Sequence, residues 1–118
     1  MKYDEISSYA AVNGTDAAKV AELAESIKAD GWKGAPILVC SMGLVTGSHR
    51  LAALKAIDAD PDYDGDVFSA DVAEDVTDEV NAYCEREGVG FDGIQFDSLR
   101  DVFAGTWVEA YMAEIVEW

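Results

Sequence analysis

Histidine, cysteine and long apolar runs are scarce in this chain, and each scarcity removes a class of function. The single histidine and the two cysteines, Cys40 and Cys84, do not form the spacing that zinc sites use. No apolar run approaches the length of a membrane-spanning helix, and the chain does not begin with a basic and then apolar leader. We therefore expect a soluble cytoplasmic protein without a metal centre.

Basic residues are also few, because 24 acidic residues stand against 8 basic ones and give a net charge of −16. Residues 1–60 contain 8 acids and 6 bases, whereas residues 61–118 contain 16 acids and 2 bases. A surface of this sign repels phosphate backbones, so we expect no direct DNA binding. The acidic half admits three interpretations: a solvated surface that maintains solubility, an adaptation to high salt, or a face that mimics nucleic acid or docks on a basic partner.

Half of the residues are hydrophobic, which is enough for one domain spanning residues 1–118. Apolar periodicity and turn residues predict an α+β fold, with a small mixed sheet, packed helices and a helical acidic C-terminal half. The predicted strands are 3–6, 37–40, 44–46 and 67–72. The predicted helices are one capped by Thr15 or Asp16 that runs to about Ala29, then 48–57, 77–87 and 96–103. A last helix, capped by Thr106 with Glu109 at N3, is expected to bury Val108, Tyr111, Met112 and Ile115.

The residues best suited to bind a ligand are Gly47, Ser48, His49 and Arg50. They stand where a predicted strand ends, a glycine turns the chain and a helix begins. A helix N-terminus presents backbone N–H groups and a partial positive charge, and a guanidinium adds a planar fork of donors suited to phosphate. These four residues therefore predict an anion site. The alternative is an ordinary helix start, with Ser48 as N-cap and the two basic side chains paired with nearby carboxylates.

Three segments, in order, resemble the ParB/sulfiredoxin superfamily over about residues 3–58. They are the helix VAELAESI at 20–27, then GWKGAPILV at 31–39, then TGSHRLAA at 46–53. The resemblance implies a turn that cradles the phosphates of a nucleotide, ATP or CTP with Mg²⁺, where Gly47 permits the turn and His49 and Arg50 hold charged oxygens. It implies a family-like core at about 3–72, followed by an acidic, mostly helical extension at about 73–118 that resembles nothing known to us.

Departures from the family pattern limit what the resemblance implies. Ser48 stands where sulfiredoxins have their catalytic cysteine and ParB domains a glutamate, so neither sulfinic-acid reduction nor ParB-type hydrolysis is expected. Residues 7–13 contain no base where ParB domains carry an arginine, and no basic helix-turn-helix follows. Ser48 and His49 are neighbours on a helix and point apart, so they do not make a nucleophile–base pair. No catalytic residue is assigned.

The alternative function is a non-catalytic acidic interaction module, encoded by a phage or mobile element, that docks on a basic or nucleic-acid-binding partner.

Two further patterns in the sequence are relevant to ligand binding. Residues 60–71 match the calcium-loop spacing D-x-D-x-D-G-x5-D, although Pro61, the short Asp71 and the strand predicted to follow argue against it. The three tryptophans, Trp32, Trp107 and Trp118, either pack in the core or stack on a ligand or partner, and the resemblance places Trp32 nearest the nucleotide.

Overall fold

A computed structural model describes residues 1–9, 15–33, 35–41, 43–90 and 99–112 of the chain. The helices are α1 (Tyr3–Ile6), α2 (Ala17–Asp30), α3 (Ser48–Asp58), α4 (Thr77–Glu87) and α5 (Leu99–Val102). The strands are β1 (Ile37–Cys40), β2 (Gly43–Thr46) and β3 (Ala73–Asp75). Two 3-10 segments lie at Val67–Ser69 and Trp107–Tyr111. The predicted α+β class is confirmed at this level.

The sheet has the strand order β2-β1-β3, so β1 is its central strand. β2 pairs with β1 antiparallel as a hairpin, and β3 pairs with β1 in parallel, with Ile37 opposite Ala73 and Val39 opposite Asp75. The sheet is therefore small and mixed, as predicted. A central strand that is covered on both faces has no solvent side, which is why all four residues of β1 are apolar and buried.

Two apolar cores lie on the two faces of this sheet, because alternate residues of a strand point to opposite sides. Ile37 and Val39 of β1 belong to the first core and Leu38 belongs to the second. The first core is completed by buried residues of α1, α2 and α3, among them Ile6, Ile27, Leu51, Leu54 and Ile57. The second is completed by Val76, Val80, Val102, Phe103, Val108 and Met112. Residues from the acidic extension thus pack on one face of the sheet.

The main helices begin and end where the sequence indicates. The carboxylate of Asp16 accepts hydrogen bonds from the N–H groups of Ala18 and Lys19, so Asp16 is the N-cap of α2. Gly31 follows the helix with φ 79°, and its N–H donates to the carbonyl of Ile27. The predictions for α2, α3, α4, β1 and β2 are confirmed.

Two predicted strands are wrong. Residues 3–6 form helix α1, since Tyr3 and Ile6 are three residues apart and a helical turn buries both on one side. Residues 67–69 form a 3-10 segment in which the N–H and the hydroxyl of Ser69 both bond to the carbonyl of Asp66. The strand lies further along, at Ala73–Asp75, where pairing with β1 fixes it.

The C-terminal predictions are confirmed in part. Thr106 caps its segment, its hydroxyl accepting from the N–H of Val108, but Trp107–Tyr111 is a 3-10 segment and not an α-helix. Val108 is buried as expected, whereas Tyr111 is exposed and not part of the core. Residues 96–98 of the predicted helix 96–103, as well as Ile115 and Trp118, lie outside the described residues. Within the described ranges, no helix has the length and apolar character needed to cross a membrane.

Candidate functional site

The turn at Gly47 places the start of α3 directly after β2. Gly47 has φ 104° and ψ 27°, a left-handed conformation that side-chain-bearing residues rarely adopt. The hydrogen bonds within the helix begin with the N–H of Leu51, which donates to the carbonyl of Gly47 over 2.8 Å. Gly47 is therefore the N-cap and Ser48, which is buried, is the first helical residue and not the N-cap. The amides of residues 48–50 lie at the positive end of the helix dipole.

His49 links the start of α3 to the start of α2. Its Nε2 atom accepts a hydrogen bond of 3.0 Å from the backbone N–H of Asp16. The same Asp16 uses its carboxylate to cap α2, so one residue is bound to two helix starts. The two helix starts are thus linked through His49, and the carboxylate of Asp16 offsets the positive end of α2.

Arg50 holds the loop that precedes β1. Its Nη1 atom donates to the carbonyl of Lys33 over 3.0 Å and to that of Ala35 over 2.9 Å. Its guanidinium carbon lies 4.8 Å from the centre of the Trp32 ring, within the range of a cation–π interaction. These contacts are to backbone oxygens and to an aromatic ring. They differ from the pairing with carboxylates that was the alternative prediction for Arg50.

The structure therefore brings the predicted site residues, Gly47 to Arg50, together with two that lie far away in sequence, Asp16 and Trp32. A small cavity of about 50 Å³ lies beside Arg50 and Trp32. This volume holds one or two water molecules and is far below that of sites for nucleotide-sized ligands, which run to several hundred Å³. A nucleotide bound here would have to lie on the surface at the helix start, with only its phosphates at the amides.

A second hollow was not predicted from the sequence. It has a volume of about 420 Å³ and lies between the loop before β1, strand β3 and the 3-10 segment Trp107–Tyr111. Its lining residues are Trp32, Pro36, Asp71, Glu74, Trp107 and Tyr111. The sequence predicted that Tyr111 is buried, and it left open whether Trp107 packs in the core or stacks on a ligand or partner. Their neighbours in the hollow come from distant positions, which no local pattern shows.

The segment 60–71 does not have the geometry of a calcium loop. Oδ2 of Asp60 lies 2.6 Å from Nζ of Lys28, and Oδ1 accepts the N–H of Asp62. The hydrogen bond from Lys28 is the main reason that the pKa of Asp60 lies below its ordinary value. Across the part of the chain that the structure describes, no three carboxylate, imidazole or thiol groups cluster as a metal site would require.

No family model, curated protein or solved structure matches this chain. The resemblance to the ParB/sulfiredoxin superfamily therefore stays a prediction, and so do the roles that it implies for Gly47, Ser48, His49 and Arg50. The functional argument depends on the geometry of the two regions described above.

Proposed function

We propose that the chain binds a phosphate-bearing ligand at the start of α3, through the backbone amides of Ser48, His49 and Arg50. The observation that carries this proposal is the turn at Gly47, which begins α3 without a side-chain cap, whereas the start of α2 is capped by the carboxylate of Asp16. The partial positive charge at the start of α3 attracts an anion. The guanidinium of Arg50 adds positive charge beside these amides, while Nε2 of His49 accepts the N–H of Asp16.

The surrounding charge agrees with this placement. The first 60 residues, which contain α2 and α3, are nearly neutral, with 8 acids and 6 bases, whereas the strong negative charge belongs to residues 61–118. A triphosphate with Mg²⁺ carries less negative charge than the bare nucleotide, so ATP and CTP with Mg²⁺ are the first ligands to test. In this proposal the metal arrives with the nucleotide. No catalytic role is assigned to the site.

Thermal unfolding with ATP, CTP, GTP or inorganic phosphate, each with and without Mg²⁺, tests the proposal. A ligand at about 100 times its Kd stabilises the folded protein by about 2.7 kcal/mol, which is readily measured. We expect the stabilisation to be lost in Arg50→Gln and kept in Arg86→Gln, which removes the same charge from the end of α4. Each variant is compared with its own ligand-free state. The absence of a response to every nucleotide and to phosphate at millimolar concentration would exclude the site.

A second candidate function is the docking of the acidic half on a basic partner. The specific observation in its favour is that Trp107 is 45% exposed and Tyr111 is 37% exposed, beside Asp71 and Glu74 at the second hollow. Large aromatic side chains at the surface are typical of interface residues. Titration with a mixed lysine–arginine peptide at low and high salt tests this function, since binding through charge must weaken as salt rises.

A further inference from the structure

We propose that the hollow between Trp32, Glu74, Trp107 and Tyr111 binds the guanidinium of an arginine side chain on a basic polypeptide. This inference deepens the second candidate function, on which it rests, because it names the site and the group that would be recognised. The hollow has a volume of about 420 Å³ and is open to solvent on the surface, so it suits a protruding side chain.

The chemistry of the lining selects a cation. Three of the six lining residues are aromatic, and the charged ones, Asp71 and Glu74, are both acidic. The faces of tryptophan and tyrosine rings attract cations, most strongly where water is excluded, and carboxylates accept hydrogen bonds and donate none. An anion would meet two negative groups here. A neutral apolar ligand would contact the rings but gain nothing from the two carboxylates.

Arginine fits this lining better than lysine does. A guanidinium is planar, so it can stack on an aromatic ring while its edge donates to a carboxylate, and an ammonium cannot do both. The fold already contains a guanidinium over a ring, since Arg50 lies over Trp32 at 4.8 Å while it donates to the backbone carbonyls of Lys33 and Ala35. The net charge of −16 adds a long-range attraction for a basic segment.

The walls of the hollow are held in place before any ligand arrives. The indole N–H of Trp107 donates to Oε1 of Glu79 over 3.2 Å, and the Trp107 ring meets Tyr111 edge to face with centroids 6.4 Å apart. The loop that contributes Trp32 and Pro36 to the hollow is held by Arg50, which donates to the carbonyls of Lys33 and Ala35. Rings that are already oriented lose little conformational entropy on binding.

One existing contact involves the rim of the hollow. A carboxylate oxygen of Asp71 lies 3.7 Å from the amino group of Met1. The Asp71 side chain is nevertheless 78% exposed, so this ion pair is at the surface and contributes little. We base the proposal on Glu74, which follows Ala73 on β3, because Asp71 already lies beside the amino group of Met1.

Three short peptides test the proposal on the complete chain: acetyl-Gly-Arg-Gly-amide, its lysine analogue and its citrulline analogue, which keeps the shape of arginine but has no charge. We expect the arginine peptide to shift the indole N–H signals of Trp32 and Trp107 in NMR spectra. The lysine peptide should bind several-fold more weakly, and the citrulline peptide at least 10-fold more weakly, about the factor that one charge-assisted hydrogen bond provides. Equal binding of the arginine and citrulline peptides overturns the proposal.

Variants show whether the hollow itself is the binding site. Trp107→Ala and Glu74→Gln should each weaken binding of the arginine peptide at least 5-fold, whereas Asp62→Asn, which removes the same charge from an exposed loop, should have little effect. Equal losses in Glu74→Gln and Asp62→Asn overturn the proposal, because they indicate attraction by net charge alone. In that outcome, binding of the longer lysine–arginine peptide still supports the second candidate function. The arginine site and the second candidate function can therefore fail separately. If Trp107→Ala does not fold, Tyr111→Leu replaces it as the variant of the hollow. The comparison of the three peptides on the unchanged chain still tests the proposal.

Discussion

The guanidinium carbon of Arg50 lies over the ring of Trp32, 4.8 Å from its centre, and the same Trp32 lines the larger hollow beside Trp107. One aromatic side chain therefore borders both regions to which we assign binding. Because Arg50 belongs to α3 and Trp32 to the loop before β1, the position of the hollow's wall depends on the start of that helix. A change at Arg50 should be detected in both places.

Arg50→Gln should lower the free energy of unfolding by about 1–3 kcal/mol, since the carbonyl of the fully buried Ala35 loses its donor and the ring contact is lost. Urea unfolding, followed by far-UV circular dichroism, measures the loss. Arg86→Gln is the matched control, because Arg86 is exposed and its ion pair with Glu87 is at the surface, so its effect should stay within about 0.5 kcal/mol. Equal losses in both variants would contradict the role given to Arg50.

Gly47→Ala should destabilise the protein by about 1–2 kcal/mol, because a Cβ atom is strained at φ 104°. The comparison is Gly90→Ala, where an added Cβ meets nothing within 4 Å and the stability should change by less than about 0.5 kcal/mol. Both values come from urea midpoints at unchanged slope. If Gly47→Ala were as stable as the original chain, the turn at the start of α3 would differ from the one described.

Asp16→Ala and His49→Ala separate the two contacts that meet at Asp16. Asp16→Ala removes the N-cap of α2 and should lower the free energy of unfolding by about 1 kcal/mol. The backbone N–H of residue 16, which donates to His49, remains. His49→Ala removes the acceptor of that N–H and should lower the free energy of unfolding by less, because this contact is at the surface. Amide exchange distinguishes them: the Asp16 amide should exchange faster in His49→Ala, and an unchanged rate would argue against the hydrogen bond.

The stability of the protein should depend on pH through Asp75. Hydrogen bonds from the hydroxyl and then the backbone N–H of Thr77 hold the pKa of Asp75 below its ordinary value. A lowered pKa in the folded state means that the charged form stabilises the fold, so this contribution is complete above about pH 4 and is lost as the pH falls through the lowered pKa. The advantage of the original chain over Asp75→Asn should therefore be constant above about pH 4 and shrink between about pH 4 and pH 3.

The control for this measurement is Asp64→Asn, which removes an exposed carboxylate from the loop before the first 3-10 segment. Its difference from the original chain should change much less over the same pH interval. An advantage over Asp75→Asn that stays constant down to pH 3 would show that the carboxylate of Asp75 does not stabilise the start of α4.

Phe103→Ala tests whether the acidic extension and the first half fold together. Phe103 is fully buried and is the largest such side chain among the described residues, so its truncation should lower the free energy of unfolding by about 3–5 kcal/mol. Trp107→Ala in the same region is the control and should cost less than about 1.5 kcal/mol, because Trp107 is 45% exposed. One cooperative transition is expected in both variants, and two separate transitions would indicate two independent units.

Elements with a strong local signal could be predicted from the sequence. α2 has an N-cap at Asp16, an apolar stripe and a terminal glycine, and β1 is a run of four apolar residues between turns. Residues 3–6 and 67–72 were assigned wrongly because four to six residues with weak alternation fit a helical turn as well as a strand. There the outcome depended on tertiary contacts: the burial of Tyr3 with Ile6, and the parallel pairing of β3 with β1.

The candidate site shows the same division. The sequence placed Gly47 at the turn and His49 and Arg50 at the helix start, because a strand, a glycine and an amphipathic helix follow one another locally. It did not show that Arg50 donates to the carbonyls of Lys33 and Ala35, since every residue has a carbonyl. The hollow around Trp107 depends on three distant segments that meet only in the folded chain.

The central strand has a consequence for the motions of the molecule. Ile37 and Val39 support one apolar layer and Leu38 the other, so neither helical layer can detach without disturbing the strand that anchors its counterpart. Partial opening of a single face is thus coupled to the opposite face, and the amides of this strand exchange with solvent only in rare events that disrupt the entire protein.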